Sequence, residues 1–343
     1  MMTPVIAGYG VAVPDTMDQD GLWRDFFAGH TDGSARSERI FRNAGVDTRH
    51  GVVDPRHEDV SSWSTAQRLE RYENPSVQLG ERALRDAMAE AVVDADDLDL
   101  LTVVSCTGYA TPGLDIRLAD RLNVSPETQR VFIGHMGCYA AIPALSTVAN
   151  HVRVRRRPAA LLCVELTSLH LAPGPLDAEQ TVAHALFSDA AAAIVLVPDG
   201  KGLALVDVTS RTDTAHADHM SWRVTDRGFR MGLSAQVPKV LGRNLPTAVE
   251  SLLQPHGRAL GDIDAWAVHP GGRAILDVAQ KSLDLPADEL DVSRDVLRRH
   301  GNCSSATILL VIRELARREP RNLVASAFGP GLTVYSALLA SQA

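Results

Sequence analysis

Positive charge is in short supply in this sequence. Its 34 lysines and arginines stand against 42 aspartates and glutamates, for a formal net charge of -8. A nucleic-acid partner needs a basic face, so that class is set aside. The basic run RVRRRP at 153–158 is the local exception and reads as a solvated loop between two elements. Long hydrophobic runs are missing too, since none approaches the roughly 18 apolar residues of a membrane span. The opening MMTPVIAGYG has neither the basic start nor the long apolar middle of a secretory signal. Cysteine is sparse. The four copies, Cys106, Cys138, Cys163 and Cys303, have no CxxC spacing, which argues against a zinc site and against a disulfide framework. Reduced thiols and no export signal make the cytoplasm the expected compartment.

What is present is core material. Hydrophobic residues make up 45% of 343, enough to bury a sizeable interior in two domains or one large one. The chain carries one pattern twice. PSVQLGERALRDAMAEAVV at 75–93 predicts a helix with Leu84, Ala87, Met88 and Ala91 on one face, followed by an acidic turn and the strand of DLDLLTVVSCTG. Later, PKVLGRNLPTAVESLL is again helical, and DIDAWAVHPGG again gives an acidic turn, a strand and a glycine-rich end. The shared turn aligns Asp97 with Asp262. MGCYAAIPALSTVANHV and HGNCSSATILLVIRELAR then repeat a glycine, a chemically capable residue and a helix. Ile308, Val311, Ile312 and Leu315 form the buried stripe of the second. Each is followed by an apolar strand, PAALLCVEL and RNLVASAFG. Such alternation predicts an α/β protein with largely parallel sheets. It also superposes Gly137 on Gly301 and Cys138 on Asn302, and draws these with the strand-end His269 toward one pseudo-twofold axis.

Those three residues suit thioester chemistry. A cysteine at a helix N-terminus lies among unsatisfied N–H groups and partial positive charge that favour its thiolate. An imidazole nearby allows a thiolate–imidazolium pair, and Gly137 permits the tight turn that exposes the sulfur. Asn302 donates hydrogen bonds without ever carrying charge, and a developing oxyanion needs fixed donors of that kind. Each residue alone also has a structural explanation: a packed core thiol, a strand-end histidine, a helix-capping asparagine. Order and local wording decide between them.

GHMGCYAAIPAL, ALFSDAAAAIVL, WAVHPGGRAILDVAQKSL, HGNCSSATILLVIREL and AFGPGLTVYSALL, in this order, resemble the type III polyketide synthases of the chalcone synthase superfamily. The resemblance runs from about residue 5 to 340. It implies a thiolase-like fold, a duplicated αβαβα five-layered core in two halves. Residues 1–200 would carry the nucleophile, and 201–343 the histidine and asparagine. It further implies a homodimer that needs neither a metal nor an acyl carrier protein and uses coenzyme A thioesters as substrates. Cys138 would take a starter acyl group, and His269 and Asn302 would hold a malonyl-CoA thioester while carbon dioxide leaves. For coenzyme A, Arg36 and Arg39 match two basic positions and Ala274 a backbone contact to the pantetheine arm. The third basic position falls on Asn43, with Arg42 as a substitute. GPGL at 329–332 matches a loop that shapes the reaction cavity.

Departures from the family pattern bear on substrate choice. Phe187 matches one gatekeeper and Met231 the second, where a flexible thioether replaces a ring. Ser188 and Ala190 replace glycines, so their added atoms are expected to press on the gate. Cavity positions map to Cys106, Thr107, Thr167, His170, Trp222 and Ser304. Cys106 is familiar from bacterial members. His170 either donates a hydrogen bond to a polyketide carbonyl or closes off space. Thr111-Pro112 lies in the loop that reaches across the dimer in plant relatives. The expected reaction is iterative decarboxylative condensation of malonyl-CoA-type extenders on a fatty acyl-CoA starter, giving an alkylresorcinol or alkylpyrone. Malonyl-CoA priming toward an aromatic polyphenol is the main variant. Two rivals are a ketoacyl synthase III-like enzyme and a catalytically idle family member.

Overall fold

The computed structural model describes residues 3–342. Nine strands form one sheet: β1 (Val5–Ala12), β2 (Leu100–Ser105), β3 (Gln129–Gly134), β4 (Ala159–Glu165), β5 (Ala190–Val197), β6 (Gly202–Thr212), β7 (Ala265–Val268), β8 (Asn322–Gly329) and β9 (Thr333–Gln342). The helices that cover this sheet or border the site are α1 (Ala35–Arg42), α2 (Thr65–Ala91), α3 (Ala141–Arg155), α4 (Ala178–Leu186), α5 (Val237–Leu253), α6 (Arg273–Ser282) and α7 (Ser305–Ala316).

The sheet runs β7-β8-β9-β6-β1-β5-β4-β2-β3, and its pairing shows the duplication read from the sequence. In the first half β1 pairs antiparallel with β5, β5 antiparallel with β4, and β4 parallel with β2. In the second half β6 pairs antiparallel with β9, β9 antiparallel with β8, and β8 parallel with β7. The halves meet through β1 and β6, where Val5 and Ile6 lie opposite Ala204 and Leu203. Only the first half carries a further parallel strand, β3 beside β2. The second has the helix Asp291–His300 before α7 instead.

Helices α3 and α7 pack against each other and against strands of both halves, which makes them the middle layer. The position explains their composition. From Ser305 through Ile312, α7 is buried all round, so the predicted stripe of Ile308, Val311, Ile312 and Leu315 is only part of what packs. Helix α2 covers the outer face of β1, β5 and β4, and α5 with α6 covers that of the second half. The result is a thiolase-like α/β fold.

Three sequence expectations are corrected. The sheet is mixed rather than largely parallel, with five antiparallel and three parallel pairings. Helix α2 begins ten residues before Pro75. Ser64 and Gln67 form a reciprocal capping box there, and Pro75 is accommodated inside the helix. Its inner face lies so close to β1 that a Cβ on Gly10 would sit 1.8 Å from the Ala83 carbonyl oxygen, so VIAGYG needs its glycines for that approach. Half of the run at 153–158 is the end of α3, and only 156–158 form the connection to β4. Arg155 and Arg157 pair there with Asp99 at 3.0 and 3.2 Å, cations at the end of a helix whose dipole favours them.

Candidate active site

Cys138 occupies the turn that leads into α3, and Gly137 before it has φ 86°. In the second half Gly301 has φ 67° and Asn302 follows it just ahead of α7. His269 comes directly after the last residue of β7. Turns at a strand end (His269) and before the two middle-layer helices (Cys138 and Asn302) therefore deliver all three side chains to one cavity of about 480 Å³.

The local bonds fix how each side chain is presented. The Asn302 Oδ1 accepts from the Ser304 N–H at 2.9 Å and from the Thr307 hydroxyl at 3.4 Å. Among the described residues its amide nitrogen has no partner, which leaves the donor end for a ligand. Both ring nitrogens of His269 are buried without a hydrogen bond, while its backbone N–H is held by the Ser326 carbonyl at 2.8 Å. Burial lowers the His269 pKa to about 3, so the ring is neutral, with one nitrogen to donate and the other to accept. The Cys138 sulfur points to the Ser304 hydroxyl at 3.6 Å, and burial pushes its pKa up to about 12. The resting pair is thus a thiol and a neutral imidazole rather than the thiolate–imidazolium pair expected from the sequence. Desolvation disfavours both charges.

A smaller chamber of about 20 Å³, room for about one water molecule, lies beyond Cys138. Cys138, Phe187 and Met231 line both spaces and stand at their junction. Of the residues assigned to the cavity, Cys106, Thr107, Thr167, Trp222 and Ser304 line the inner chamber. The Trp222 indole N–H donates to the Cys106 carbonyl at 2.9 Å. The Cys106 sulfur accepts from the Gly137 N–H at 3.1 Å. His170 does not face the chamber. Its Nδ1 accepts from the Phe229 N–H at 3.0 Å, its Nε2 bonds the Thr107 carbonyl at 2.7 Å, and its ring stacks on Phe229 at 4.3 Å. No nitrogen is left to donate to a polyketide carbonyl, so the space-closing alternative is the one compatible with this geometry.

Phe187, the expected gatekeeper, is backbone-coupled to the loop that carries Asn302. The Asn302 N–H donates to the Leu186 carbonyl at 2.8 Å, and the Ser188 N–H to the Asn302 carbonyl at 3.0 Å, on either side of Phe187. Buried Arg49 donates to the carbonyls of His184 and Phe187. The Ser188 hydroxyl is bonded to both the N–H and the carbonyl of His50. It therefore does not press on the gate, contrary to the expectation from its replacement of glycine.

Sequence reading missed two residues here. One is Arg49. The other is Glu165, wholly buried, accepting from the Cys106 N–H at 3.0 Å, the Thr107 hydroxyl at 2.8 Å and the Ser305 hydroxyl at 2.5 Å. Burial raises its pKa. An acidic residue closing the apolar strand AALLCVE was the available signal.

The outer cavity is lined on one side by Arg36 and Asn43 from the region of α1 and on the other by Arg273 and Ala274 from the first turn of α6. That helix has no side-chain cap, so its first N–H groups are open. Arg39 is exposed on α1 but does not line the cavity. Arg42 does not line it either and pairs with Glu38 at 2.7 Å, so it is no substitute for the basic residue replaced by Asn43.

Comparison with known proteins agrees with this arrangement. Residues 12–200 match the family model for chalcone and stilbene synthases, N-terminal domain, and 209–343 match that for the C-terminal domain. A 1,3,6,8-tetrahydroxynaphthalene synthase of Streptomyces peucetius is 34% identical over 315 residues, 88% of this chain and 82% of its own length. An alpha-pyrone synthesis polyketide synthase-like protein of Mycobacterium tuberculosis is 30% identical over 318 residues, covering 87% and 80%. Among solved structures, PKS-I of the brown alga Ectocarpus siliculosus superposes with a TM-score of 0.94 at 26% identity, covering 100% of this chain and 99% of that one.

Proposed function

Because this chain belongs to the chalcone and stilbene synthase family and is a type III polyketide synthase, we propose that Cys138, His269 and Asn302 carry its condensation of malonyl-CoA-type extenders. One observation supports the reading above others. At the junction of a wide outer cavity and a small inner chamber, a buried thiol shares its surroundings with two neutral side chains, and the His269 nitrogens and Asn302 amide have no partner among the described residues.

The chemistry follows from that arrangement. His269, neutral at physiological pH, takes the Cys138 proton as the sulfur attacks the starter thioester and coenzyme A leaves as its thiol. A malonyl thioester then takes the outer cavity with its carbonyl oxygen toward His269 and Asn302. Breaking its C–C bond releases carbon dioxide and places the electron pair in an enolate, whose oxygen those two donors stabilise. The enolate carbon attacks the Cys138 thioester, forming the new C–C bond and returning the sulfur as leaving group. The extended chain, now on coenzyme A, reloads Cys138. Residues 1–200 supply the sulfur and 201–343 the donors, and the working unit is a homodimer.

A second reading concerns the starter. The inner chamber holds about one water molecule, which favours short, malonyl-primed products over a fatty acyl chain. The relative named as a tetrahydroxynaphthalene synthase supports it. Incubation of the pure protein with malonyl-CoA, alone and with starters of increasing chain length, followed by mass spectrometry of the products, tests both readings. Polyketides form with wild type and are absent with Cys138→Ala; products from the alanine variant would remove Cys138 as the nucleophile. Products from malonyl-CoA alone support the second reading, and a requirement for a long acyl starter contradicts it.

A further inference from the structure

Resting on the reading of the outer cavity as a coenzyme A tunnel, we propose that Arg273 is a phosphate-binding residue of this enzyme and replaces the cation that position 43 lacks. Coenzyme A brings phosphate groups to the mouth of any tunnel that takes its pantetheine arm, and guanidinium groups match phosphate oxygens with paired donors. From the region of α1 the cavity receives Arg36 and Asn43, one positive charge and one neutral amide. Arg42 is turned away onto Glu38 and Arg39 does not line the wall. Glu179, from the first turn of α4, adds an anion to the same wall. On Arg36 alone the lining would be neutral overall, a poor host for a phosphate.

Arg273 changes that balance. It is the first residue of α6, next to Ala274, and it lines the same cavity. A Cβ placed on Gly45, two residues after Asn43, would lie 3.4 Å from the Arg273 Cβ, so its stem rises beside the stretch that lacks the charge. The side chain is 64% exposed. Its carboxylate neighbour Asp277 is 4.0 Å away and already holds Arg294 at 2.7 Å. Arg273 is therefore not committed to a tight ion pair. It also stands at an uncapped helix N-terminus, where open N–H groups and the helix dipole reinforce attraction for an anion. Arg36 and Arg273 then form a pair of cations across the mouth of the tunnel.

The test separates phosphate recognition from turnover. Isothermal titration of free coenzyme A into wild type, Arg273→Ala and the double variant Arg273→Ala with Asn43→Lys reads binding directly. Affinity is expected to fall about tenfold in the single variant, the scale of one charge-assisted contact, and to recover in the double one. In steady-state assays Arg273→Ala raises KM for malonyl-CoA by the same factor, leaves kcat within about twofold, and leaves KM for malonyl-pantetheine, which has no phosphate, unchanged. Equal binding by wild type and Arg273→Ala overturns the proposal and leaves the tunnel reading standing. So does an equal rise in KM for both thioesters, which marks a structural role. If wild type binds no coenzyme A, the tunnel reading falls and takes the proposal with it.

Discussion

At the scale of single residues, His170 shows how a side chain can sit at a family cavity position and still do something else. Both of its nitrogens are spent on backbone groups and its face on Phe229. Burial lowers its pKa to about 4, so it packs as a neutral ring. His170→Ala should cost about 2–4 kcal/mol in denaturant unfolding, since it leaves a cavity and orphans the Phe229 N–H and the Thr107 carbonyl. Unchanged unfolding would contradict this role. None of it was legible in TSLH, because which nitrogens of a histidine are free depends on partners 59 and 63 residues away in sequence. Cys138, His269 and Asn302 were legible because each is announced by a glycine-marked turn at the end of a strand or the start of a helix. Glu165 and Arg49 were not singled out. Their work is to hold backbone and hydroxyl groups around the site, and apart from the lone acid that closes AALLCVE it leaves no mark in the sequence.

At the scale of elements, the repeated strand and helix wording was readable because each copy keeps its own hydrophobic period. What periodicity could not give was where α2 begins, since a mid-helix proline imitates a start and the real cap lies eleven residues upstream. Nor could it give the asymmetry at β3. This strand is one of the two edges of the sheet, and it exposes Val131 and Phe132 together. An exposed edge bearing apolar side chains is a pairing surface unless it is covered, which supports placing the subunit contact of the proposed homodimer there. Phe132→Glu, a buried charge in such a contact, should halve the mass measured by light scattering at micromolar concentration, with the far-ultraviolet circular dichroism unchanged. A variant that keeps the wild-type dimer mass would move the contact elsewhere, and a wild type that is already monomeric would contradict the homodimer itself.

At the scale of the whole molecule, the duplication is what makes the site. Each half begins a middle-layer helix at a glycine-marked turn, and the two turns face one cavity. Burial there keeps Cys138 a thiol and His269 neutral, so the catalytic charges arise only as substrate reacts. The division of labour is spatial: sulfur from the first half, donors from the second. On the proposed mechanism, decarboxylation of malonyl-CoA needs only the donors, and condensation needs both. The direct test is release of labelled carbon dioxide from carboxyl-labelled malonyl-CoA by wild type, Cys138→Ala and His269→Ala. The account predicts that Cys138→Ala still releases it while His269→Ala falls by about a hundredfold or more, as expected for loss of a donor to the enolate oxygen. Release by His269→Ala at the wild-type rate would contradict it.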